Sequence, residues 1–263
     1  MNKATLPALL LCLSVVAPAH AGRSCEPKKA DPANAVKALD LALKARGALD
    51  ASGAQVALIA RAGQDLSKYH LTYSHVALVW RDHPAGRWLV VHELNKCGSA
   101  LSSLYNEGLG NFFLDDVFEY KTEILLPSAD VQASLVRLLA SNTPLRLHAP
   151  QYNMLSYAYS TKYQNSNQWV LETYAAAKVA PGKIETRSEA QAWLKAADYR
   201  PITLEIPAAT RLGARMFRAN VAFDDHPFER RMAGHIDTVT VDSMMRFIKR
   251  HDPQARDIEV SLP

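Results

Sequence analysis

Two stretches far apart in the chain decide its reading: Tyr73-Ser74-His75-Val76-Ala77-Leu78-Val79 and Tyr163-Gln164-Asn165-Ser166-Asn167-Gln168-Trp169-Val170. The first has the apolar makeup of a buried strand with one histidine set into it. The second is a polar loop that delivers a serine onto the first turn of an apolar helix. A titratable ring inside an apolar strand needs a hydrogen-bond partner, since leaving it unpaired costs roughly a few kcal/mol. Each residue also has an ordinary role: His75 as a satisfied core histidine and Ser166 as an N-cap for the amides that follow it.

Outward from these stretches, the chain alternates helices and short strands. Asp31 before Pro32 supplies an N-cap and a first-turn proline, and Val36, Leu39 and Leu43 recur at helical spacing up to Gly47. Residues 55–61, 73–80 and 88–94 read as strands, the last two joined through His83-Pro84-Ala85-Gly86 as an antiparallel hairpin. A Gly- and Asn-punctuated stretch over 104–113 precedes a further strand at 119–126. Ser128 then opens a helix to about residue 139 with Val131, Leu135 and Leu138 on one face. The tyrosine-rich segment 148–163 reads as a short helix leading into the helix that Ser166 opens, which runs to about residue 178. In the last third, Ser188-Glu189-Ala190-Gln191 reads as a capping box, followed by strands at 202–206 and 236–241 and a helix over 242–250. The pattern predicts an α+β fold with helices packed against an antiparallel sheet. Its expected divisions are residues 1–21, a main domain over 22–180, and 181–263 as an extension of that domain or a small subdomain.

Lys3, an apolar run over residues 6–16 and Ala-Pro-Ala-His-Ala at 17–21 read as a signal peptide cleaved after Ala21, too short to span a bilayer. No later stretch reads as a transmembrane helix, so a periplasmic or secreted protein is expected. The formal net charge is +4, and the basic residues are scattered rather than gathered in a stripe, so there is no nucleic-acid footprint. Cys12 leaves with the signal, and Cys25 and Cys97 then read as a disulfide in an oxidising compartment, the alternative being a free nucleophilic Cys97 beside Gly98. His70, His75, His83 and His92 lie close in sequence but match no zinc signature, so neither a metal nor a cofactor is expected.

The two opening stretches together resemble the circularly permuted branch of the NlpC-type papain-like superfamily, in which the histidine strand precedes the nucleophile helix; the resemblance covers about residues 55–180. More narrowly, His148-Ala149-Pro150-Gln151-Tyr152-Asn153 and residues 163–172 resemble a domain-of-unknown-function family of exported proteobacterial proteins. The resemblance implies a papain-like sheet packed on helices, with Ser166 standing where the superfamily has cysteine, His75 as its base, and Glu93 or His92 orienting the histidine. Side chains alternate along a strand, so only one of those two can face His75, and Glu93 aligns slightly better with the family. Asn165 matches the residue before the nucleophile, and the Ser166 N–H with Tyr163 or Tyr152 is a candidate oxyanion donor set. The superfamily cleaves amide or thioester bonds, often in cell-wall peptides. Two functions therefore follow from the resemblance: a catalytically weak or silent module binding a peptide or envelope component in the old cleft, or a periplasmic amide or ester hydrolase with a Ser-His-Glu/His triad.

Overall fold

The computed structural model describes residues 31–115 and 117–262. Cys25 and the segment read as a signal peptide lie outside the described residues; Cys97 has a bonding partner of its own and is not a free thiol. Among the described residues no helix is long and apolar enough to cross a membrane.

Eight strands and nine helices alternate along the described chain. The strands are β1 (Val56–Ala62), β2 (His75–His83), β3 (Gly86–Asn95), β4 (Ser102–Gly108), β5 (Glu119–Leu126), β6 (Ile202–Glu205), β7 (His235–Thr238) and β8 (Arg256–Ser261). Six of them form one antiparallel sheet in the order β4-β3-β2-β1-β5-β8, while β6 and β7 pair as a separate ribbon. The helices are α1 (Pro32–Ser52), α2 (Leu109–Leu114), α3 (Ala129–Leu139), α4 (Thr143–Arg146), α5 (Ser166–Ala177), α6 (Arg187–Ala196), α7 (Ala208–Phe217), α8 (Phe228–Met232) and α9 (Val241–His251). The chain is thus α+β, helices against an antiparallel sheet.

The central strands are apolar on both faces because both faces are covered. Val56, Leu58 and Ala60 of β1, with Val76, Leu78 and Trp80 of β2, pack into a core with α3, α5 and α9. Ala57, Ile59, Ala77, Val79 and Val90 point the other way, onto α1 and α2. Helix α1 begins as the sequence announces, with Asp31 accepting from the Ala33 N–H, but it runs through Gly47 and stops at Gly53, whose φ of 70° is the left-handed conformation a helix end favours. Its buried stripe is Ala38, Leu41, Ala42, Ala45 and Leu49, while Val36 and Leu43 lie on the exposed face. Small alanines let the helix backbone approach the sheet closely, which bulkier side chains at those positions would prevent.

Other local expectations shift. Residues 148–163 form no helix: isolated bridges Leu101 to Gln151, Tyr152 to Gln164 and Tyr157 to Thr238 pin the segment, with turns at 154–155 and 158–159 between them. The Asn153 side chain claims backbone groups of Leu155 and Ala222, a competition that Asn side chains win against helices. Strand β4 falls in the stretch read as mere punctuation, because it is a polar strand at the sheet edge with little alternation to reveal it. The capping box is Thr186 with Glu189, two residues ahead of the expected Ser188.

Helix α5 has all twelve residues buried, including Glu172. The Glu172 carboxylate accepts from Arg187 Nε at 2.8 Å, Gln164 Nε2 at 2.7 Å and Gln191 Nε2 at 2.8 Å. Burial pushes this carboxyl up, and the Arg187 guanidinium opposes that push. Arg187 also donates to the carbonyls of Thr161 and Tyr163, tying the loop before α5 to α6. Removing the cation leaves a buried carboxyl with two amide donors only. Arg187→Met should therefore destabilise the protein by about 3–5 kcal/mol, read as a fall in urea midpoint; a loss within experimental error would mean that the pair contributes nothing to stability.

Candidate functional site

The site forms where α5 meets the start of β2. Asn165 is the N-cap of α5, its Oδ1 accepting from the Gln168 N–H at 2.8 Å, and its Nδ2 donates to Thr238 Oγ1 on β7 at 3.1 Å. Ser166 is consequently the first helical residue rather than the cap, and its hydroxyl is released from capping. Asn167 stitches the helix to the strand: its Oδ1 accepts from the Val76 N–H at 3.1 Å and its Nδ2 donates to the Ser74 carbonyl at 3.3 Å. Between these two anchored asparagines, Ser166 Oγ lies 3.2 Å from Nδ1 of His75.

The chain of polar contacts continues behind His75. Its Nε2 lies 2.9 Å from Nδ1 of His92, and His92 Nε2 lies 2.9 Å from Oε1 of Glu107, close in distance but bent away from the ring N–H direction. A carboxylate only accepts, so the simplest proton assignment runs outward from it: His92 carries its proton on Nε2, His75 carries its proton on Nε2, and Nδ1 of His75 is left to accept from the Ser166 hydroxyl. Phe112 walls the two imidazoles, 5.9 Å and 5.7 Å away centroid to centroid. The Arg61 guanidinium lies over the same ring, 4.8 Å from its centroid, donating to the Phe112 carbonyl and pairing with Asp115.

Strand register decides which of the two β3 candidates faces His75. Leu78 stands opposite Val91 and Val79 opposite Val90, which sets His92 opposite Ala77 on the face that carries His75. Glu93, favoured by alignment, points to the other face, toward α5. Glu107 belongs to the group because Tyr105 stands opposite His92 and Glu107 lies two residues along on the same face of β4. No local sequence signal marks Glu107, whose role depends on an edge-strand register.

Burial dominates the electrostatics. It pushes His75 well below the ordinary histidine value, with Arg61 and then His92 adding to the effect, so the ring is neutral at physiological pH. Burial also lowers His92, against the opposing pull of Glu107. On the opposite face of β3, burial pushes Glu93 up to about 8. Ser102 lies beside it, but its hydroxyl is engaged with His148 Nε2 at 3.1 Å, and neither Glu93 oxygen has a hydrogen-bond partner.

A cavity of about 400 Å³ opens over Ser166 and His75, lined also by Arg61, Glu93, Tyr152 and Asn220. That size falls within the range of small-ligand clefts. Tyr152 belongs to it: burial pushes its hydroxyl up to about 12, an effect that Ser166 opposes and Glu93 reinforces. Tyr163 does not; its hydroxyl donates to Asp224 Oδ1 at 3.2 Å on the surface, where Lys162 also binds. A second cavity of about 580 Å³ adjoins the first and shares Gly63, Tyr69, Met154, Leu155, Ile206 and Arg218 with it. Among the described residues no group of three or more His, Cys, Asp and Glu is placed to hold a metal ion.

The neutral Glu93 has a measurable consequence. Its folded value of about 8 lies above the 4.5 of the exposed carboxyl, so folding retains a proton that the unfolded chain releases between those values. Its contribution is therefore most favourable below 4.5 and is lost as pH rises toward 8. Glu93→Gln, which keeps the shape and removes the ionisation, should melt close to wild type at pH 5 and higher at pH 8, by about 2–4 °C for each kcal/mol recovered. A pH-independent difference in Tm would mean that Glu93 is ionised in the native protein.

Comparison with known proteins returns no matching curated protein and no matching solved structure. A family model matches residues 48–248, a span that contains Ser166, His75, His92, Glu107, Glu93 and Tyr152 as well as the β6–β7 ribbon. With most of its length covered by that match, the chain belongs to the bacterial family described as "Uncharacterized protein conserved in bacteria (DUF2145)".

Proposed function

We propose that the cleft transfers acyl groups from an amide or ester to water, slowly, with Ser166 as nucleophile in a papain-like frame of the permuted NlpC type. The observation that carries this reading is the 3.2 Å contact between Ser166 Oγ and His75 Nδ1 at the start of a buried helix. Ser166 Oγ attacks the substrate carbonyl while its proton passes to Nδ1 of His75. The resulting oxyanion is met by the Ser166 N–H, which as a first-turn amide has no intrahelical acceptor, and by the Tyr152 hydroxyl. His75 then returns the proton to the leaving amine or alcohol, and water repeats the sequence on the acyl-enzyme to free Ser166. His92 and Glu107 hold the His75 ring and take up part of the positive charge that forms on it.

One observation favours the second reading, a silent cleft that binds a cell-wall peptide or another envelope component. Burial and Arg61 make His75 a weak base, and a weak base removes a proton from a hydroxyl far less readily than from a thiol. The export expected from residues 1–21 would bring either kind of ligand within reach, and it belongs to the same proposal.

A fluorophosphonate probe separates the two readings. Under the hydrolase reading it labels Ser166, and His75→Ala slows labelling about 100-fold or more. Because His75 stays neutral below the ordinary histidine value, the rate should hold from pH 8 down past 6.5 rather than halve there. Ser166→Cys should be alkylated by iodoacetamide faster than a free cysteine. If wild type is not labelled and Ser166→Cys reacts no faster than unfolded protein, the cleft is a binding site and Ser166 has no chemical role.

A further inference from the structure

The C-terminal third leaves a surface that the cleft chemistry does not use. Helix α7 buries none of its residues, and Leu212 and Met216, one turn apart on one face, are each 63% exposed, with Phe217 at 52%. Helix α8 repeats the arrangement, with Phe228 at 66% and Met232 at 61%. The start of α7 lies beside the end of α8: Arg211 of α7 donates to the Ile206 carbonyl and lies against Gly234, just beyond α8. Large exposed apolar side chains are ordinary when scattered, but three on α7 and two on α8, five on two short helices of one region, mark a place where something docks.

The charges beside the patch indicate what docks. Residues 208–218 carry Arg211, Arg215 and Arg218 and no acid, and Glu229 is the one acidic residue within the two helices. Large apolar side chains edged by arginine on a surface helix suit the headgroup region of an anionic bilayer, where the apolar groups enter the acyl boundary and the guanidinium groups meet the phosphates. The same helix borders the larger cavity that adjoins the site. Thr210 and Ala214 line the larger cavity, whose wall includes Phe118, Val221 and Phe223, and Arg218 lines both cavities.

We propose that α7 with α8 is a docking surface for an anionic lipid membrane, which sets the mouth of the cleft at the bilayer interface. The docking goes beyond the acyl-transfer reading and is measured without turnover, so either can fail alone. Co-sedimentation of the full chain with vesicles of phosphatidylglycerol and phosphatidylcholine should bind about tenfold more tightly than with phosphatidylcholine alone, and added salt should release it. Met216→Glu with Phe217→Glu, and separately Arg215→Glu, should each abolish sedimentation; all three positions are exposed, so folding is retained. Equal binding to both vesicle types, or binding to neither, would overturn the proposal. So would a concentration-dependent dimer that Met216→Glu disrupts while vesicles stay unbound, because the patch would then belong to a second copy of the chain.

Discussion

A helix buried along its whole length has no water to satisfy its polar groups, so protein must supply the partners at both ends and along the sides, and in α5 the Thr173 and Tyr174 hydroxyls go without one among the described residues. In α5 this constraint organises the rest of the molecule. Asn165 closes its N-terminus and reaches β7, Asn167 fastens the same turn to the backbone of β2, and Glu172 two turns on draws Arg187, Gln164 and Gln191 around itself. Arg187 in turn gathers the carbonyls of the loop that leads into the helix. The position of Ser166 is a by-product of these bonds: with its neighbours on both sides fixed, its hydroxyl has little choice but to face His75.

The sheet contributes the other half of the site through parity. Side chains on alternate residues of β2 and β3 share a face, so His75 and His92 meet over Phe112 while Glu93 is carried to the opposite face. One burial effect then has opposite consequences for the two types of group. It favours the uncharged form of each, which lowers the histidines and raises Glu93. The cleft floor thus presents mostly neutral groups, with two cations beside them, Arg218 and Arg61, the latter engaged with Asp115.

The C-terminal third is woven into this arrangement. Strand β8 pairs with β5 at one edge of the main sheet, α9 packs into the core that holds α5, and the β6–β7 ribbon reaches the cleft through Leu204 and Thr238. Asn165 joins α5 to that ribbon directly, so the walls of the cleft and the position of Ser166 are set by the same contacts.

What the sequence by itself determined is the set of strongly patterned elements and the two segments that meet. The apolar runs of β1, β2, β3 and β5, the helix behind Asp31 and Pro32, and the helix after Asn165 are legible because solvent exclusion on one or both faces writes a period into the chain. A histidine in an apolar strand was legible as a candidate because it is out of keeping with its surroundings, whereas the serine at a helix start, ordinary as a cap, was legible only through the resemblance of the two segments to a papain-like pair. What only the tertiary structure decided is pairing. Whether His92 or Glu93 faces His75 depends on a register that shifts every side chain to the other face when it slips by one residue. Glu107 sits on an edge strand whose polar sequence hides it, and residues 148–163 lose a helix as the Asn153 side chain bonds the backbone of Ala222 across the fold. Local sequence carries the energetics of burial, whereas these outcomes rest on which distant residue stands opposite, and that is settled only when the sheet closes around α5.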